Sequence, residues 1–369
     1  MRPQNSGKNE LHQDCASVLI KRRMNTIDFN DVVFRRFVGT ALLFFAIPFA
    51  LVWAWVIEEP MAYFDNNYPV MLAKSTLARE VVTDNVTILG DSLPQVALIP
   101  RRLGHGVVNL AWAGRSTIEA LHFARIETNS PSPPKAVIVS FCPNHLTEPD
   151  LFWSYSVGFG LMSFQEVEEV RHRSWILKDP SIFDCQTPFD VDTRLKSLLY
   201  AIKFPPYYFA YLVDARVFGR YAENKQVFDH VLAERGQAYG SLGDLPTDLD
   251  RESAMRSFIP SKILDDYFNQ TLALFQSRNI PVYFISIPHN EVSVRVYSPE
   301  LKRGFTEYLT GYERRYPNFH VLGDVFPSYP STYLVDSTHL NPKGAALFSD
   351  HVAKLLNDAH VPGGPFGNN

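Results

Sequence analysis

Residues 86–92 read VTILGDS, a short apolar run that ends in Gly90-Asp91-Ser92. The run is rich in Val and Ile and is continuous rather than alternating, which is typical of a buried strand in a parallel sheet. A serine in the turn after such a strand lies at the edge where α/β sheets bind ligands. The following LPQVALIPRRL can start a helix, whose N-terminus favours negative charge near the Ser92 hydroxyl. An ordinary helix cap is the alternative interpretation.

Four further runs share this strand pattern and alternate with helical patterns. The strand-like runs are 107–111, 136–141, 281–288 and 319–324, and the helical patterns are 116–128, 261–278, 299–315 and 342–357. This alternation predicts an α/β three-layer domain with a mainly parallel sheet over residues 81–360. The third and fourth strands are about 140 residues apart. Because an ordinary crossover is much shorter, we expect a large insertion at about 146–260, helical over 193–220 and loop-like over 236–250. The tail 361–369 is expected to be loose.

Residues 37–57 read FVGTALLFFAIPFALVWAWVI, 21 residues without a charge. At about 1.5 Å per residue, such a helix spans roughly the 30 Å hydrocarbon core of a bilayer. A buried core helix would show a polar face, and this run has none beyond Thr40. A cleaved signal peptide fits poorly because 36 residues precede the run. The sequence therefore predicts one transmembrane helix, with residues 58–80 as a short connector.

The charges that flank this run predict its orientation. Lys21, Arg22, Arg23, Arg35 and Arg36 precede it, whereas Glu58, Glu59 and Asp65 follow it. Since positive flanks stay inside, residues 1–36 are expected in the cytoplasm and the part after residue 57 in the periplasm or outside the cell. A bacterial inner membrane is the expected location, and membrane lipid is an expected partner through the anchor.

Composition excludes several classes of protein. The net charge of −4 and the pI of about 6.3 argue against nucleic acid as a partner. Three cysteines without a C-x-x-C exclude a disulfide framework and a zinc ribbon. Cys142 and Cys185 would both be exported and can pair in an oxidising compartment, whereas Cys15 lies on the other side. Neither a metal nor another cofactor is expected, since H-E-x-x-H and clustered His and carboxylate spacings are absent from the sequence.

A second polar motif, Asp336-Ser337-Thr338-His339, directly precedes the last helical pattern and contains the only D-x-x-H of the sequence. A serine nucleophile needs a general base, and the base needs an acceptor that fixes its tautomer. Asp336 and His339 on one turn can supply both, with the second imidazole nitrogen facing Ser92. A helix start at Asn341-Pro342 is the alternative interpretation, and the two are compatible.

Gly114 follows the second strand and Asn144 the third. A backbone N–H at Gly114 and the amide of Asn144 can serve as donors of an oxyanion hole, which needs two or three. The alternative interpretation is that Gly114 only forms a turn and that Asn144 is an ordinary loop residue. Because the carboxyl ends of parallel strands converge, we expect both residues beside Ser92 and the Asp336/His339 pair. His145 and His289 also follow strands, and we interpret them as loop histidines satisfied by solvent, with a place in the cleft as the alternative.

The ordered set G-D-S, Gly, Asn and D-x-x-H-x-N-x-x-G resembles the SGNH (GDSL-type) hydrolase superfamily. The resemblance covers about residues 84–145 and 280–357, and it implies a flavodoxin-like sheet. It also implies Ser92 as nucleophile, His339 as base and Asp336 as the orienting carboxylate. The implied oxyanion hole is formed by the N–H groups of Ser92 and Gly114 and by the Asn144 side chain. The third block, usually G-x-N-D, reads Cys142-Pro143-Asn144-His145 here, so its loop departs from the family pattern.

Within this superfamily, one N-terminal anchor with an exported catalytic domain is similar to proteins that O-acylate cell-envelope polymers. Such proteins often work beside a multi-spanning membrane acyltransferase. The resemblance thus implies a serine esterase or O-acyltransferase that acts on O-acyl groups, chiefly acetyl, of an extracytoplasmic glycan. A non-catalytic, membrane-tethered glycan-binding or scaffold subunit is one alternative, motivated by the altered third block. A lipid esterase is another, suggested by the anchor and the apolar segment 204–213.

Overall fold

The computed structural model describes residues 32–80, 86–149, 151–183, 191–217, 219–239 and 245–362. The chain divides into two units, Met1–Glu58 and Glu59–Asn369. Most of the predicted cytoplasmic segment, Cys15, Cys185 and the tail from residue 363 onwards lie outside the described residues. The predictions made for them therefore stay predictions.

The described part of the first unit is one helix, α1 (Val32–Glu58). It contains the whole predicted segment 37–57 and begins five residues earlier, so that it includes Arg35 and Arg36. Its length and apolar composition are sufficient to cross a membrane. The prediction of an apolar N-terminal helix is confirmed, whereas its orientation remains a prediction.

The second unit is built on a parallel sheet of five strands. Its strands are β1 (Val86–Gly90), β2 (Val107–Asn109), β3 (Ala136–Ser140), β4 (Val282–Ile285) and β6 (Phe319–Leu322). They lie in the order β2-β1-β3-β4-β6, and every neighbouring pair is parallel. The predicted α/β class with a mainly parallel sheet is confirmed. Two further strands, β5 (His289–Asn290) and β7 (Ser328–Tyr329), form a small parallel pair that is too short to leave a sequence pattern.

Helices cover this sheet on both faces. Ile88, Ile138 and Ile285 belong to one buried cluster with Phe348 and Val352 of the last helix. Alternate strand side chains point the other way: Phe284 contacts the ring of Phe305, and the Thr87 hydroxyl donates to Glu127 at 2.6 Å. Burial of both faces explains why the strands read as continuous apolar runs.

The helices of the second unit follow in chain order. They are α2 (Pro60–Tyr63), α3 (Asn67–Leu77), α4 (Ser92–Ala97), α5 (Pro100–Leu103), α6 (Thr117–Thr128), α7 (Phe164–Leu177), α8 (Val191–Ala201), α9 (Phe209–Asp214), α10 (Tyr221–Ala233), α11 (Lys262–Ser277), α12 (Glu291–Val296), α13 (Pro299–Arg315) and α14 (Pro342–Asp358). Short 3-10 turns lie at Asn144–Leu146, Pro205–Tyr208, Arg251–Ala254 and Ser331–Tyr333, and a π-helical turn at Phe152–Val157. The helical patterns predicted around the sheet correspond to α6, α11, α13 and α14. Helices α7 and α10 were not predicted.

Residues 59–80, within the stretch expected as a connector over 58–80, belong to the second unit and include α2 and α3. Lys74 of α3 is fully buried, and its ammonium donates to the carbonyls of Asn109 at 2.9 Å and Gly236 at 2.6 Å. Burial holds the pKa of Lys74 well below its usual range. These bonds fasten α3 to the end of β2 and to the chain after α10. Helix α3 is thereby part of the packed domain.

We predict that Gly90→Ala destabilises the second unit strongly. A Cβ at residue 90 would lie 2.0 Å from the carbonyl oxygen of Ser140 on β3, so the strand ends must separate. The expected loss is more than about 2 kcal/mol in the free energy of unfolding. Thermal unfolding of the detergent-solubilised chain, followed by circular dichroism, measures it. In the control Gly311→Ala on α13, the added Cβ has no atom within 4 Å, and the free energy of unfolding should rise by about 0.5–1 kcal/mol. Equal midpoints for the two variants would contradict the close approach at Gly90.

Candidate active site

Ser92 is the first residue of α4 and follows the end of β1 by two residues. Asp91 caps the helix, because its Oδ1 accepts the backbone N–H of Leu93 at 2.9 Å. This cap fixes the turn at the carboxyl edge of the sheet. The interpretation of Asp91 as a helix cap is confirmed, and the cap holds the Ser92 hydroxyl at the sheet edge.

The Ser92 hydroxyl belongs to a chain of hydrogen bonds with two residues from the other end of the sequence. His339 Nε2 lies 2.8 Å from Ser92 Oγ, and His339 Nδ1 lies 2.9 Å from Asp336 Oδ2. Asp336 Oδ1 also accepts the backbone N–H groups of Thr338 at 2.8 Å and His339 at 2.7 Å. The carboxylate therefore holds both the turn and the imidazole ring in place.

The electrostatics of this turn favour one protonation pattern. Burial alone raises the pKa of Asp336, but the His339 ring and the two backbone N–H groups outweigh it and lower that pKa to about 2. Asp336 is therefore an anion at neutral pH and accepts the Nδ1 proton of His339. The lone pair on Nε2 then faces Ser92 Oγ, which is the arrangement that lets an imidazole remove a hydroxyl proton.

Gly114 and Asn144 lie with these three residues on one cleft of about 380 Å³. Among the described residues, no acceptor is bonded to the N–H groups of Ser92 or Gly114 or to the Asn144 side-chain amide. The five residues predicted to meet at the sheet edge are thus brought together by the fold. Three donors available beside a hydroxyl are what stabilisation of an oxyanion requires.

Gly114 lies in a turn whose left-handed backbone conformation favours glycine. Its φ is +67°, and a Cβ there would lie 2.8 Å from Leu151 Cδ1. The next residue, Arg115, anchors the turn: its guanidinium lies 3.6 Å from the centroid of the Trp112 ring and donates to Ser156 Oγ at 2.7 Å. Burial lowers the pKa of Arg115 to about 10, so the side chain remains charged at neutral pH.

The loop that carries Asn144 is held by two buried carboxylates. Asp91 Oδ2 accepts the backbone N–H of Cys142 and a ring nitrogen of His145, both at 2.9 Å. Glu252 Oε1 accepts the backbone N–H of Asn144 at 3.2 Å. Burial acts to raise the pKa of Asp91, but His145 and the backbone donors hold it below the ordinary value. The segment Cys142-Pro143-Asn144-His145 is therefore held in place by Asp91 of the Gly90-Asp91-Ser92 motif.

His289 lies in a second buried group beside this loop. Its Nδ1 is 3.0 Å from Asp250 Oδ2 and 2.8 Å from the hydroxyl of Tyr297, which also donates to Asp250. Burial lowers the pKa of His289, but the Asp250 bond and the nearby carboxylates raise it above the usual value. The interpretation of His145 and His289 as solvated loop histidines is wrong: His289 is 3% exposed and His145 bonds Asp91.

Two sets of side chains near the cleft combine ligand types that metals use. They are Asp91, Cys142 and His145, and Asp250, Glu252 and His289, with the ligand atoms of each set within 4.8 Å of one another. Hydrogen bonds within these sets already engage one ring nitrogen, Nδ1, of His145 and of His289. Burial raises the pKa of the Cys142 thiol well above its usual range, which disfavours the thiolate that binds metals or attacks disulfides. The expectation of no metal stays a prediction, as does the Cys142–Cys185 pairing.

Sequence reasoning missed Glu252 and Asp250. Asp250 caps the short 3-10 turn Arg251–Ala254 and Glu252 lies within it, in a segment with neither a motif nor a periodicity. The partners of Glu252 and Asp250 lie 108 and 39 residues away. No local signal distinguishes them from solvated surface carboxylates.

A second cleft, of about 510 Å³, shares Ser92, Leu151 and His339 with the first. Its remaining wall comes from the ends of α3 and α10 and carries carboxamides, tyrosines and a histidine. These polar residues are Asn66, Asn67, Gln95, Tyr155, Gln226, His230 and Tyr239. The Ser92 side chain thus borders both clefts.

Residues 242–360 match the sequence model of an uncharacterised protein family. The matched stretch contains Asp336 and His339 but not Ser92. No curated protein matches the sequence.

We predict that Asp336 contributes to stability in a pH-dependent way. Its pKa is lowered from 3.8 to about 2 in the folded chain, so its contribution is complete above pH 4 and disappears as the pH falls towards 2. Asp336→Asn should therefore remove about 2 kcal/mol of acid-dependent stability from the profile of unfolding free energy against pH. The control Asp324→Asn replaces an exposed aspartate and should follow the wild-type profile. A D336N profile parallel to wild type would exclude the ionised Asp336–His339 pair.

Proposed function

We propose that the chain is a membrane-anchored serine esterase or O-acyltransferase of SGNH type that forms an acyl-serine at Ser92. The observation that carries this proposal is the hydrogen-bond chain from Ser92 Oγ through His339 to Asp336, at 2.8 and 2.9 Å, beside an open cleft. A hydroxyl, a base and an orienting carboxylate in this order constitute an activated nucleophile.

The topology supports the SGNH assignment. The order β2-β1-β3-β4-β6 of the five-stranded sheet corresponds to the doubly wound order 2-1-3-4-5 of a flavodoxin-like sheet, with β6 in the fifth place. In that layout, the helices between β3 and β4 are the insertion expected at about 146–260. Ser92, Gly114 and Asn144 follow three adjacent strands of the sheet, which is the edge where ligands bind.

The reaction proceeds by two acyl transfers. Ser92 Oγ attacks the ester carbonyl carbon while His339 Nε2 takes the hydroxyl proton. The N–H groups of Ser92 and Gly114 and the Asn144 amide donate to the tetrahedral oxyanion. The C–O bond to the leaving alcohol then breaks, and His339 returns the proton to that oxygen. Water or a sugar hydroxyl next attacks the acyl carbon and loses its proton to His339. The bond between that carbon and Ser92 Oγ then breaks, and His339 returns the proton to Oγ. The enzyme is an esterase when water attacks the acyl-serine and a transferase when a sugar hydroxyl attacks it.

The second cleft supports a glycan as the substrate. Its carboxamides and tyrosine hydroxyls both donate and accept hydrogen bonds, as uncharged sugar hydroxyls require. Because the cleft reaches Ser92 and His339, a sugar bound there presents its hydroxyl or ester oxygen to the base. Apolar side chains, among them Val70, Val96 and Val231, line the same cleft.

We further propose that α1 spans a bacterial inner membrane with the N-terminus in the cytoplasm and the second unit in the periplasm or outside the cell. The basic residues before α1's apolar run and the acidic residues after it support this orientation. A multi-spanning membrane acyltransferase as donor partner is part of the same proposal, and it rests on the resemblance alone.

We predict that Ser92→Ala abolishes labelling by a fluorophosphonate probe and turnover of an activated acetyl ester, because the attacking oxygen is removed. Asn144→Ala should lower kcat about 10²–10³-fold, the usual effect of losing one oxyanion donor. The control Ser328→Ala, at an exposed serine, should label like wild type. Labelling retained in S92A would refute the serine assignment. A wild-type chain that binds glycan without labelling would instead establish the non-catalytic alternative.

A second prediction separates glycan from lipid substrates. The double variant Asn66→Ala/Gln226→Ala removes two carboxamides from the second cleft. It should lower the ratio of acylated-glycan turnover to small-ester turnover about tenfold, since lost hydrogen bonds to a sugar weaken only the larger substrate. Product analysis by mass spectrometry measures the ratio, and Gln165→Ala on exposed α7 is the matched control. An unchanged ratio would show that the glycan does not bind in the second cleft.

A further inference from the structure

Helices α8 and α9 expose a run of large apolar side chains. We define the α8–α9 apolar face by Val191, Leu195, Leu198, Phe209 and Val213. The first three recur at intervals of four and three residues on α8, and the last two are four residues apart on α9, so each set shares one side of its helix. Their exposed fractions run from 47% for Leu198 to 70% for Val191. Nearly half of the exposed large apolar side chains described between residues 59 and 362 fall within 191–221.

The orientation of α8 is the reverse of that of an ordinary surface helix. Its buried side holds Ser197, and the Lys196 ammonium lies 4.0 Å from the centroid of the Trp153 ring. Lys196 and Ser197 thus point inward, whereas Leu195 and Leu198 are exposed. A helix in water turns its apolar side to the core. This arrangement therefore indicates that something apolar covers the outer side.

The position of this face in the chain indicates what covers it. Tyr211 of α9 contacts the ring of Phe64, and the backbone N–H of Arg220 donates to the Ala62 carbonyl at 3.2 Å. Residues 62 and 64 follow Glu58, the last residue of α1, by four and six positions. Six residues span at most roughly 20 Å. The chain between the end of α1 and the residues that contact α9 is therefore short.

Charge and aromatic content fit a lipid surface. Residues 191–221 contain five basic and two acidic side chains. Lys196 and Lys203 are turned inward, and Arg194 pairs with Glu168. The cations of this stretch that remain to favour anionic headgroups are Arg216 and Arg220. Tyr207, Tyr211 and Tyr221 add the amphipathic rings that favour the membrane interface. An apolar side flanked by cations and tyrosines is the pattern of a helix that lies in the plane of the interface.

We propose that the α8–α9 apolar face inserts into the headgroup region of the bilayer that α1 spans and binds anionic lipid. This second membrane contact is independent of the chemistry at Ser92. It uses a surface of the chain that neither cleft occupies.

The test uses the full chain reconstituted in vesicles of phosphatidylethanolamine and phosphatidylglycerol. Leu198→Cys and Val213→Cys, each in a C15S/C185S background, carry a nitrobenzoxadiazole label. Ile259→Cys and Leu347→Cys are matched controls, because both positions are exposed and apolar but lie outside α8 and α9. Brominated phospholipids should quench the first two labels at least about twofold more than the controls, since interfacial helices reach the acyl boundary. Omitting phosphatidylglycerol should reduce this difference.

Two outcomes overturn the proposal. Labels at 198 and 213 that lipid quenches no more than the controls would show that water or protein covers the face. Protection from aqueous iodide that rises with protein density, without lipid quenching, would identify a second copy of the chain as the occupant. In addition, Leu195→Asp/Leu198→Asp should reduce lipid quenching at Val213→Cys while the thermal midpoint stays at the wild-type value. Ile259→Asp is its control and should leave that quenching unchanged.

Discussion

The carboxylate of Asp91 is the constraint on which the candidate site depends. It is fully buried between the ends of β1 and β3, where an unpaired charge would cost several kcal/mol. Its Oδ1 accepts the N–H of Leu93, and its Oδ2 accepts the N–H of Cys142 and the His145 ring. These three groups, which follow the ends of β1 and β3, offset that cost only when both strand ends are placed so that all three reach the carboxylate. Ser92 and Asn144, the neighbours of these donors, are thereby fixed on the same cleft.

Asp336 and His339, the third part of the site, are positioned by the helix that follows them, α14. Asn341 caps this helix, with its Oδ1 accepting the N–H of Gly344 at 2.9 Å. Ser349 of α14 donates to the Ala97 carbonyl and accepts the N–H of Ile99, both at 2.9 Å. These bonds dock α14 against α4 and α5. The distance between His339 and Ser92, 247 residues apart in sequence, is set by this docking and by the Asp336 turn.

The parts of this structure that sequence predicts are those with a local pattern. The runs around Ile88 and Ile138 predict the sheet because both faces are covered, and the D-x-x-H turn predicts its own geometry because Asp336 and His339 bond within three residues. Lys74 shows the limit. It reads as a solvated lysine, yet its two acceptors lie 35 and 162 residues away. The partners of His145 and His289, 54 and 39 residues away, are equally invisible to a local pattern.

The segment between β3 and β4 joins the site to the α8–α9 apolar face. Leu151 lies against Gly114 at one end of this segment. Two residues later, Trp153 stacks on Tyr200 of α8, with ring centroids 6.0 Å apart, and Lys196 Nζ of the same helix lies 4.0 Å from the centroid of the Trp153 ring. A continuous set of packed side chains therefore connects the Gly114 turn to the outer helices α8 and α9.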